Sequence, residues 1–244
     1  MAIASTGVIG QPLNLEVIQA GMAPPVEDLA YHNSLHAATA IMTTDTIPKE
    51  AAVEFELDGK VCHLGGIAKG SGMIHPNMAI MLVFLTTDAA ISSELLRKAL
   101  STDVQSTFNM VSVDGDTSTN DMVVILVNGM AGNAPITQED KDFAVFMKAL
   151  NTVTMQLCKM LAGDGEGATH LLECKVSGAA DLATARTVAK SVICSSLVKV
   201  AIFGADANWG RILCAIGYSG SAESTAWGCD LTYDYVKING DYRT

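Results

Sequence analysis

The chain has 244 residues, of which 49% are hydrophobic and 17% charged, as expected for a globular protein with a large core. Its formal net charge of −11 disfavours non-specific binding to nucleic acid. It contains neither an apolar run of the roughly 18 residues that span a bilayer nor a secretory signal, so we expect no membrane association.

Short β-rich runs alternate with stretches of helical periodicity, which predicts an α/β fold built from layers of sheet and helix. The predicted strands are residues 52–57, 60–64, 78–86, 122–128, 170–177, 199–203, 211–218 and 230–236. One helix is expected after an N-cap at Ser92 or Ser93, and a longer one from Thr137 to Gly163. A third is expected to start at Asp181. Periodicity leaves open whether the sheets are parallel.

Glycine-rich polar islands interrupt this pattern, and each taken alone is typical of an ordinary turn. They are residues 5–10, 68–77, 114–121, 164–170 and 204–211. In the second, Lys69 precedes the glycines, which reverses the order of a phosphate-binding loop. The third begins like a calcium loop, but Thr119 and Ile125 replace the required glycine and glutamate, so side chains that bond nearby backbone are favoured. In the fourth, Glu166 is a candidate ligand for a substrate amine, with a solvated turn as the simpler interpretation.

The cysteines are scattered and form no C-x-x-C pair, so we expect free thiols, no metal site and a reducing, cytoplasmic location. They are Cys62, Cys158, Cys174, Cys194, Cys214 and Cys229.

Taken together, the islands resemble the glutamate N-acetyltransferase (ornithine acetyltransferase) family of arginine biosynthesis. The matching stretches follow the family's order along nearly the whole chain. They are residues 4–13, 65–79, 86–92, 113–121, 164–169, 195–213 and 225–242.

The resemblance implies an α-β-β-α sandwich of the self-cleaving threonine-nucleophile type. In relatives the precursor is cleaved between Ala and Thr, and the two chains stay associated. The exposed threonine carries an acetyl group from N2-acetylornithine to glutamate, and some members also use acetyl-CoA. No other cofactor is implied, and an oligomer of associated chains is expected.

The resemblance also assigns roles to individual residues. Thr6 and Gly7 match the pair that stabilises the oxyanion, and Lys69 matches a substrate-binding lysine beside the nucleophile. The remaining substrate contacts that it implies are Thr43, Glu166, Asn239 and Thr244.

Three departures from the family are visible. Ile80 stands at the nucleophile position after Ala79, and its side chain has no hydroxyl with which to cleave the peptide bond or hold an acetyl group. The chain begins close to the oxyanion motif, whereas relatives carry a segment before it. A stretch present in relatives is absent between Gly220 and Ser224. We therefore expect a shortened member in which residues 1–79 and 80–244 form one compact unit.

Three functions remain open at this point. The first is acetyl transfer, with activity in doubt because of Ile80. The second is a peptidase of the related self-cleaving superfamily, which also requires a nucleophile at that position. The third is an inactive, uncleaved paralogue or fragment that binds amino acids or pairs with a full-length relative.

Overall fold

The structure is a computed structural model, and it describes residues 3–75, 81–118 and 120–220, together with the backbone of two strands at 228–233 and 236–241. Eight α-helices and seven β-strands lie in these ranges. The division of the chain at residue 79 stays a prediction.

The first sheet has four strands in the order β1-β2-β3-β4. The strands are β1 (Lys49–Leu57), β2 (Lys60–Lys69), β3 (Leu82–Thr87) and β4 (Met122–Val127). β2 pairs antiparallel with both β1 and β3, whereas β3 and β4 run parallel. The β1–β2 turn has positive φ at Asp58 (50°) and Gly59 (67°), as tight hairpins prefer. These strands agree with the predicted segments at 52–57, 60–64, 78–86 and 122–128.

A long helix covers one face of this sheet. This helix, α5 (Lys141–Gly163), packs against β1 and β2. Phe146, Leu150 and Leu157 on the helix are fully buried, and the rings of Phe55 and Phe146 meet edge to face with centroids 6.3 Å apart. The alternation of buried and exposed residues along β1 arises because its other face carries exposed side chains such as Glu54.

The predicted helix starts are mostly confirmed. Helix α4 (Ser93–Asp103) is capped by Ser92, whose Oγ accepts the N–H of Leu95 at 3.3 Å. Asp181 caps α6 (Leu182–Ile193). The predicted start of α5 at Thr137 is wrong, because the carboxylate of Asp140 accepts the first free N–H groups of that helix.

Two predicted strands are helices in the structure. Residues 199–203 lie in α7 (Ser196–Phe203), and residues 211–218 lie in α8 (Trp209–Tyr218). Ser195 and Asn208 cap their first turns, and Asn208 lies in the glycine-rich island of residues 204–211. Because an apolar run of five to eight residues fits a buried strand and a helix equally well, periodicity alone misassigned them.

The second sheet has three antiparallel strands, β5 (Glu173–Ser177), β6 (Gly228–Tyr233) and β7 (Val236–Asp241), in that order. Helix α6 packs against β5. Each sheet therefore carries a helix, and the predicted α/β class is confirmed. None of the described helices is both long enough and apolar enough to cross a membrane.

The first forty residues form three short helices, α1 (Leu15–Ala20), α2 (Ala23–Glu27) and α3 (Ser34–Ala40). Helices α1 and α2 bury no residue, and α3 buries only Ala38. Packing at this end of the described chain is therefore light.

We predict that Phe146→Ala lowers the free energy of unfolding by about 3–5 kcal/mol, because the fully buried ring leaves a cavity in the core under the first sheet. Urea denaturation measures the loss. Phe203→Ala is the matched control, since that ring is 69% exposed, and its effect should stay below about 0.5 kcal/mol. Equal losses from the two substitutions would contradict the assigned core.

Candidate functional site

A buried ion cluster ties β1 to the end of α5. The Lys49 ammonium, which is 0% exposed, donates to Asp45 Oδ1 at 2.7 Å and to Asp164 Oδ2 at 2.5 Å. Lys49 opens β1, and Asp164 is the residue directly after α5. The pairing therefore joins two segments that are 115 residues apart in sequence.

Both carboxylates of the cluster also accept backbone N–H groups. Asp45 Oδ1 accepts from Gly70 at 2.6 Å, and Asp45 Oδ2 accepts from Thr43 at 3.1 Å. Asp164 accepts the N–H of Thr46 at 3.0 Å. Burial by itself raises the pKa of Asp45 and of Asp164, but the hydrogen bonds from Lys49 and from these backbone groups outweigh it and leave each pKa below its usual value. The cluster is thus held in its charged form.

The glycine-rich turn after β2 is fastened to the segment after α5. Ser71 Oγ donates to the carbonyl of Asp164 at 2.8 Å, and the N–H of Glu166 donates to the carbonyl of Ser71 at 2.9 Å. A Cβ built on Gly72 would collide with Glu166 Oε2, so only glycine lets the Glu166 carboxylate lie against the turn. The structure therefore brings Glu166 to the turn that begins with Lys69, as the predicted site requires.

Lys69 is the last residue of β2 and is only 2% exposed. Burial lowers the pKa of its ammonium, and the positive charge of Lys49 lowers it further. The negative charges of Asp45 and Asp121 act in the opposite direction. Lys69 is therefore a buried cation whose charge depends on two neighbouring carboxylates.

Asp121 is the second carboxylate whose charge favours the ammonium form of Lys69. It precedes β4 and accepts the N–H of Met81, just before β3, through Oδ1 at 2.9 Å. Its second oxygen, Oδ2, is buried and has no hydrogen-bond partner among the described residues. Burial raises the pKa of Asp121 from 3.8 to about 6, against the opposing effects of the Met81 N–H and of Lys69. A carboxyl group in this state exchanges protons near neutral pH.

The loop of residues 114–121 contacts the backbone on both sides of the predicted cleavage position. Asp114 accepts the N–H groups of Met73 at 2.5 Å and Ile74 at 3.1 Å, while Asp121 accepts that of Met81. Asp114 also accepts the N–H of Asp116 at 3.0 Å within the loop. The interpretation of this loop as side chains that bond backbone is thereby confirmed, and no metal-binding group of acidic, His or Cys side chains occurs among the described residues.

The oxyanion pair predicted from the resemblance lies near the same loop. The side-chain amide of Asn120 donates to the carbonyl of Ser5, the residue before Thr6. Thr6 is half-buried and Gly7 is exposed. This contact links the N-terminal segment to the loop that carries Asp121, and the oxyanion role of the pair stays a prediction.

Not every predicted site residue is located. Ala79, Ile80 and Thr244 lie outside the described residues. The backbone of Asn239 lies on β7, opposite Asp230 of β6 in the second sheet. The exposed Thr43 is tied to the ion cluster through its N–H. The structure therefore gathers Thr43, Lys69 and Glu166 around one turn.

Sequence reasoning missed the charged residues that hold this turn. The only local signal was the spacing of Asp45 and Lys49 by four residues before a strand. Asp164 and Asp121 stood in islands that were read as ordinary turns. Their importance rests on contacts between segments that are far apart in sequence.

The residue pattern that defines the ArgJ family matches residues 1–225 of the chain. The chain belongs to the ArgJ family. A relative from Symbiobacterium thermophilum, named arginine biosynthesis bifunctional protein ArgJ, is 47% identical over 100% of this chain and 73% of its own length. ArgJ 1 from Clostridium acetobutylicum is 46% identical over 99% of this chain and 72% of its own length.

A solved ArgJ structure agrees with the fold. The crystal structure of ArgJ from Bacillus halodurans matches with a TM-score of 0.57 and 46% identity, over 67% of this chain and 76% of that one. The family that the sequence motifs indicated is thus confirmed. The alignment to the Symbiobacterium ArgJ spans 293 positions against 244 residues here, so that relative has internal residues without a counterpart in this chain.

We predict that Lys49→Met lowers the free energy of unfolding by about 3–5 kcal/mol at pH 8, because two buried carboxylates lose their only shared cation. The loss should be smaller at pH 5. Without Lys49 the two pKa values rise, so protonation relieves the repulsion as the pH falls. Urea denaturation at both pH values measures the difference.

Lys159→Met is the matched control, because Lys159 also pairs with a carboxylate, that of Glu173 at 2.9 Å, but both side chains are about half exposed. Its effect should remain below about 1 kcal/mol at either pH. An equally large effect from this exposed pair would contradict the role given to burial.

A second prediction concerns the pH dependence that Asp121 gives to stability. Its folded pKa of about 6 lies above the usual 3.8, so the folded state holds a proton that the unfolded state releases, and stability falls as the pH rises through that range. Relative to Asp121→Asn, the unmodified chain should lose about 1 kcal/mol between pH 4 and pH 8, after allowance for partial exposure. Parallel urea titrations of the two proteins measure this, and a constant difference would show that Asp121 titrates normally.

Proposed function

We propose that this chain carries the substrate site of an arginine-biosynthesis acetyltransferase, which transfers an acetyl group from N2-acetyl-L-ornithine to L-glutamate. The observation that supports it is the buried Lys69 at the end of β2, whose ammonium form is favoured by the charges of Asp45 and Asp121, beside a turn that also presents Glu166. A cation and a carboxylate at one turn suit a zwitterionic amino acid. The names of the ArgJ relatives give the same pathway.

The proposed reaction proceeds in two half-reactions through a hydroxyl at position 80. The hydroxyl oxygen bonds to the acetyl carbonyl carbon, the carbon–nitrogen bond of acetylornithine breaks, and the hydroxyl proton leaves with the ornithine amine. The glutamate amine then attacks the ester and regenerates the hydroxyl. Thr6 and Gly7 stabilise the oxyanion in both steps, and loss of one such donor costs on the order of 100- to 1000-fold in rate.

Ile80 stands at the position where the proposed reaction requires a nucleophilic hydroxyl. Isoleucine is close in shape to threonine but has no oxygen, so neither cleavage nor acetyl transfer has a nucleophile at that position. The missing hydroxyl favours the non-enzymatic candidate function, in which an uncleaved chain binds amino acids or pairs with a full-length relative.

The remaining properties follow from this chemistry. Acetylornithine brings its own acetyl group, so the proposed reaction requires no cofactor, and acetyl-CoA would enter as a second acetyl donor. We place the protein in the cytoplasm, in keeping with its five free cysteines among the described residues. We also propose an oligomer of associated chains, without nucleic-acid or membrane partners.

Denaturing electrophoresis and an acetyl-transfer assay test the proposal together. The unmodified chain should run as one band at 25.6 kDa and transfer no acetyl group above background. Ile80→Thr should yield two fragments, residues 1–79 and 80–244, and raise transfer from acetylornithine to glutamate by at least about 100-fold. The restored hydroxyl is the physical reason for both effects.

Ile80→Val is the matched control, because it keeps a β-branched side chain without an oxygen and should leave the chain intact and inactive. Robust transfer by the unmodified chain would mean that another residue is the nucleophile. Binding of acetylornithine to an inactive Ile80→Thr chain would support the non-enzymatic candidate.

A further inference from the structure

We propose that Asp121 is a positioning residue of this site, which fixes the backbone at Met81 and favours the ammonium form of the buried Lys69. The assignment deepens the function proposed above and rests on it. The resemblance covers Asp121, the last residue of the loop of residues 114–121, but assigns it no role.

Sheet register places Asp121 beside Met81, the residue that follows position 80 in the chain. β3 and β4 run parallel with Leu82 opposite Met122, so residues 81 and 121 lie side by side where both strands begin. Asp121 Oδ1 accepts the Met81 N–H at 2.9 Å. Because Met81 directly follows residue 80 in the chain, this hydrogen bond fixes the backbone next to the position where the family carries its nucleophile.

The second carboxylate oxygen of Asp121 accepts no hydrogen bond from the described residues. Asp121 Oδ2 is buried without a hydrogen-bond partner among the described residues, and such groups are rare in folded proteins and concentrate at functional sites. The neighbouring carboxylate, Asp45, is already bound by Lys49, Gly70 and Thr43.

Two carboxylates and one cation act on Lys69. Asp45 and Asp121 favour its ammonium form, whereas Lys49 opposes it. Lys49 is in turn compensated by Asp45 and Asp164. Asp45 contributes more to the ammonium form of Lys69 than Asp121 does, but its charge is shared with Lys49. Lys69 is the one cation that acts on Asp121 among the described residues.

This arrangement has a consequence for the site. Burial pushes Lys69 toward a neutral amine, and a neutral amine attracts a substrate carboxylate poorly. With a pKa of about 6, Asp121 is ionised in most molecules at neutral pH, and its charge then adds to that of Asp45 in favouring the ammonium form of Lys69. Below that pH the support is withdrawn as Asp121 takes up a proton.

The first test measures Lys69 directly and needs no activity. In protein labelled with ¹³C at the lysine Cε, the Lys69 resonance, assigned with Lys69→Met, is followed through a pH titration. Asp121→Asn keeps the acceptor for the Met81 N–H but removes the charge. It should shift the Lys69 protonation equilibrium at least about threefold toward the free amine.

Asp114→Asn is the matched control, because Asp114 accepts backbone N–H groups from the same region but is not among the charges that act on Lys69. It should leave the Lys69 titration unchanged. An unchanged titration in Asp121→Asn, or an equal shift in both variants, would overturn the proposal.

The reciprocal measurement protects the test against a variant that fails to fold. In the unmodified chain with ¹³C-labelled aspartate, Asp121 should titrate near pH 6. In Lys69→Met its pKa should rise, since Lys69 lowers it. A normal Asp121 titration that ignores Lys69 would refute the coupling.

The second test places Asp121→Asn in the Ile80→Thr chain. We expect transfer at pH 7 to fall about 10-fold or more and the alkaline limb of the pH–rate profile to move to lower pH, because Lys69 loses its proton earlier. Asp114→Asn should leave the profile in place. If Ile80→Thr proves inactive, the proposed reaction fails, while the Lys69 and Asp121 titrations still decide the coupling.

Discussion

The Lys49 ammonium, enclosed between Asp45 and Asp164, is the interaction on which the arrangement of the site depends. A buried cation with two carboxylates contributes little net stability compared with well-packed apolar residues. Its effect is geometric, because each carboxylate has oxygens left over for backbone N–H groups. Through them the start of β1 and the end of α5 fix the turn that follows β2, so the scaffold and the turn share one set of charges.

The carboxylates in and near this cluster differ in how many hydrogen bonds they accept. Asp45 and Asp164 are saturated with hydrogen bonds and stay ionised, whereas Asp121 is unsaturated and titrates near neutrality. The charge of Lys69 is influenced by one carboxylate of each kind, Asp45 and Asp121. Fully paired groups define structure, and a group kept partly unpaired at a stability cost is typical of function. The site thus combines carboxylates that stay ionised, Asp45 and Asp164, with one that titrates near neutral pH, Asp121.

The sequence anticipated the parts of this structure that rest on local rules. Ser92 and Asp181 capped the helices they were expected to cap, and the strands of the first sheet followed from apolar runs and turn residues. Helices α7 and α8 were misassigned because short apolar runs carry no decisive period. Glu166 was a candidate from its place in a glycine-rich turn, but the role of Lys69 came from the family motifs alone.

The charged cluster was not predictable in the same way. Asp164 meets Lys49 across 115 residues, and nothing near either residue announces the other. Asp121 has a similar history, because its loop was correctly read as one that bonds backbone, but the backbone in question belongs to residues some forty positions earlier. Long-range electrostatic partners require the fold before they can be recognised.

The position of β3 in the first sheet sets what a cleavage before it would do mechanically. β3 is flanked by β2, from the segment before residue 80, and by β4, from the segment after it. If the chain were cut ahead of β3, the two pieces would stay hydrogen-bonded to each other in the middle of one sheet. Six residue pairs join β2 to β3 there. Separation of the two pieces would require tearing that sheet along its centre and uncovering the core beneath α5. The sheet topology therefore implies that a backbone break ahead of β3 would leave the fold around the site in place.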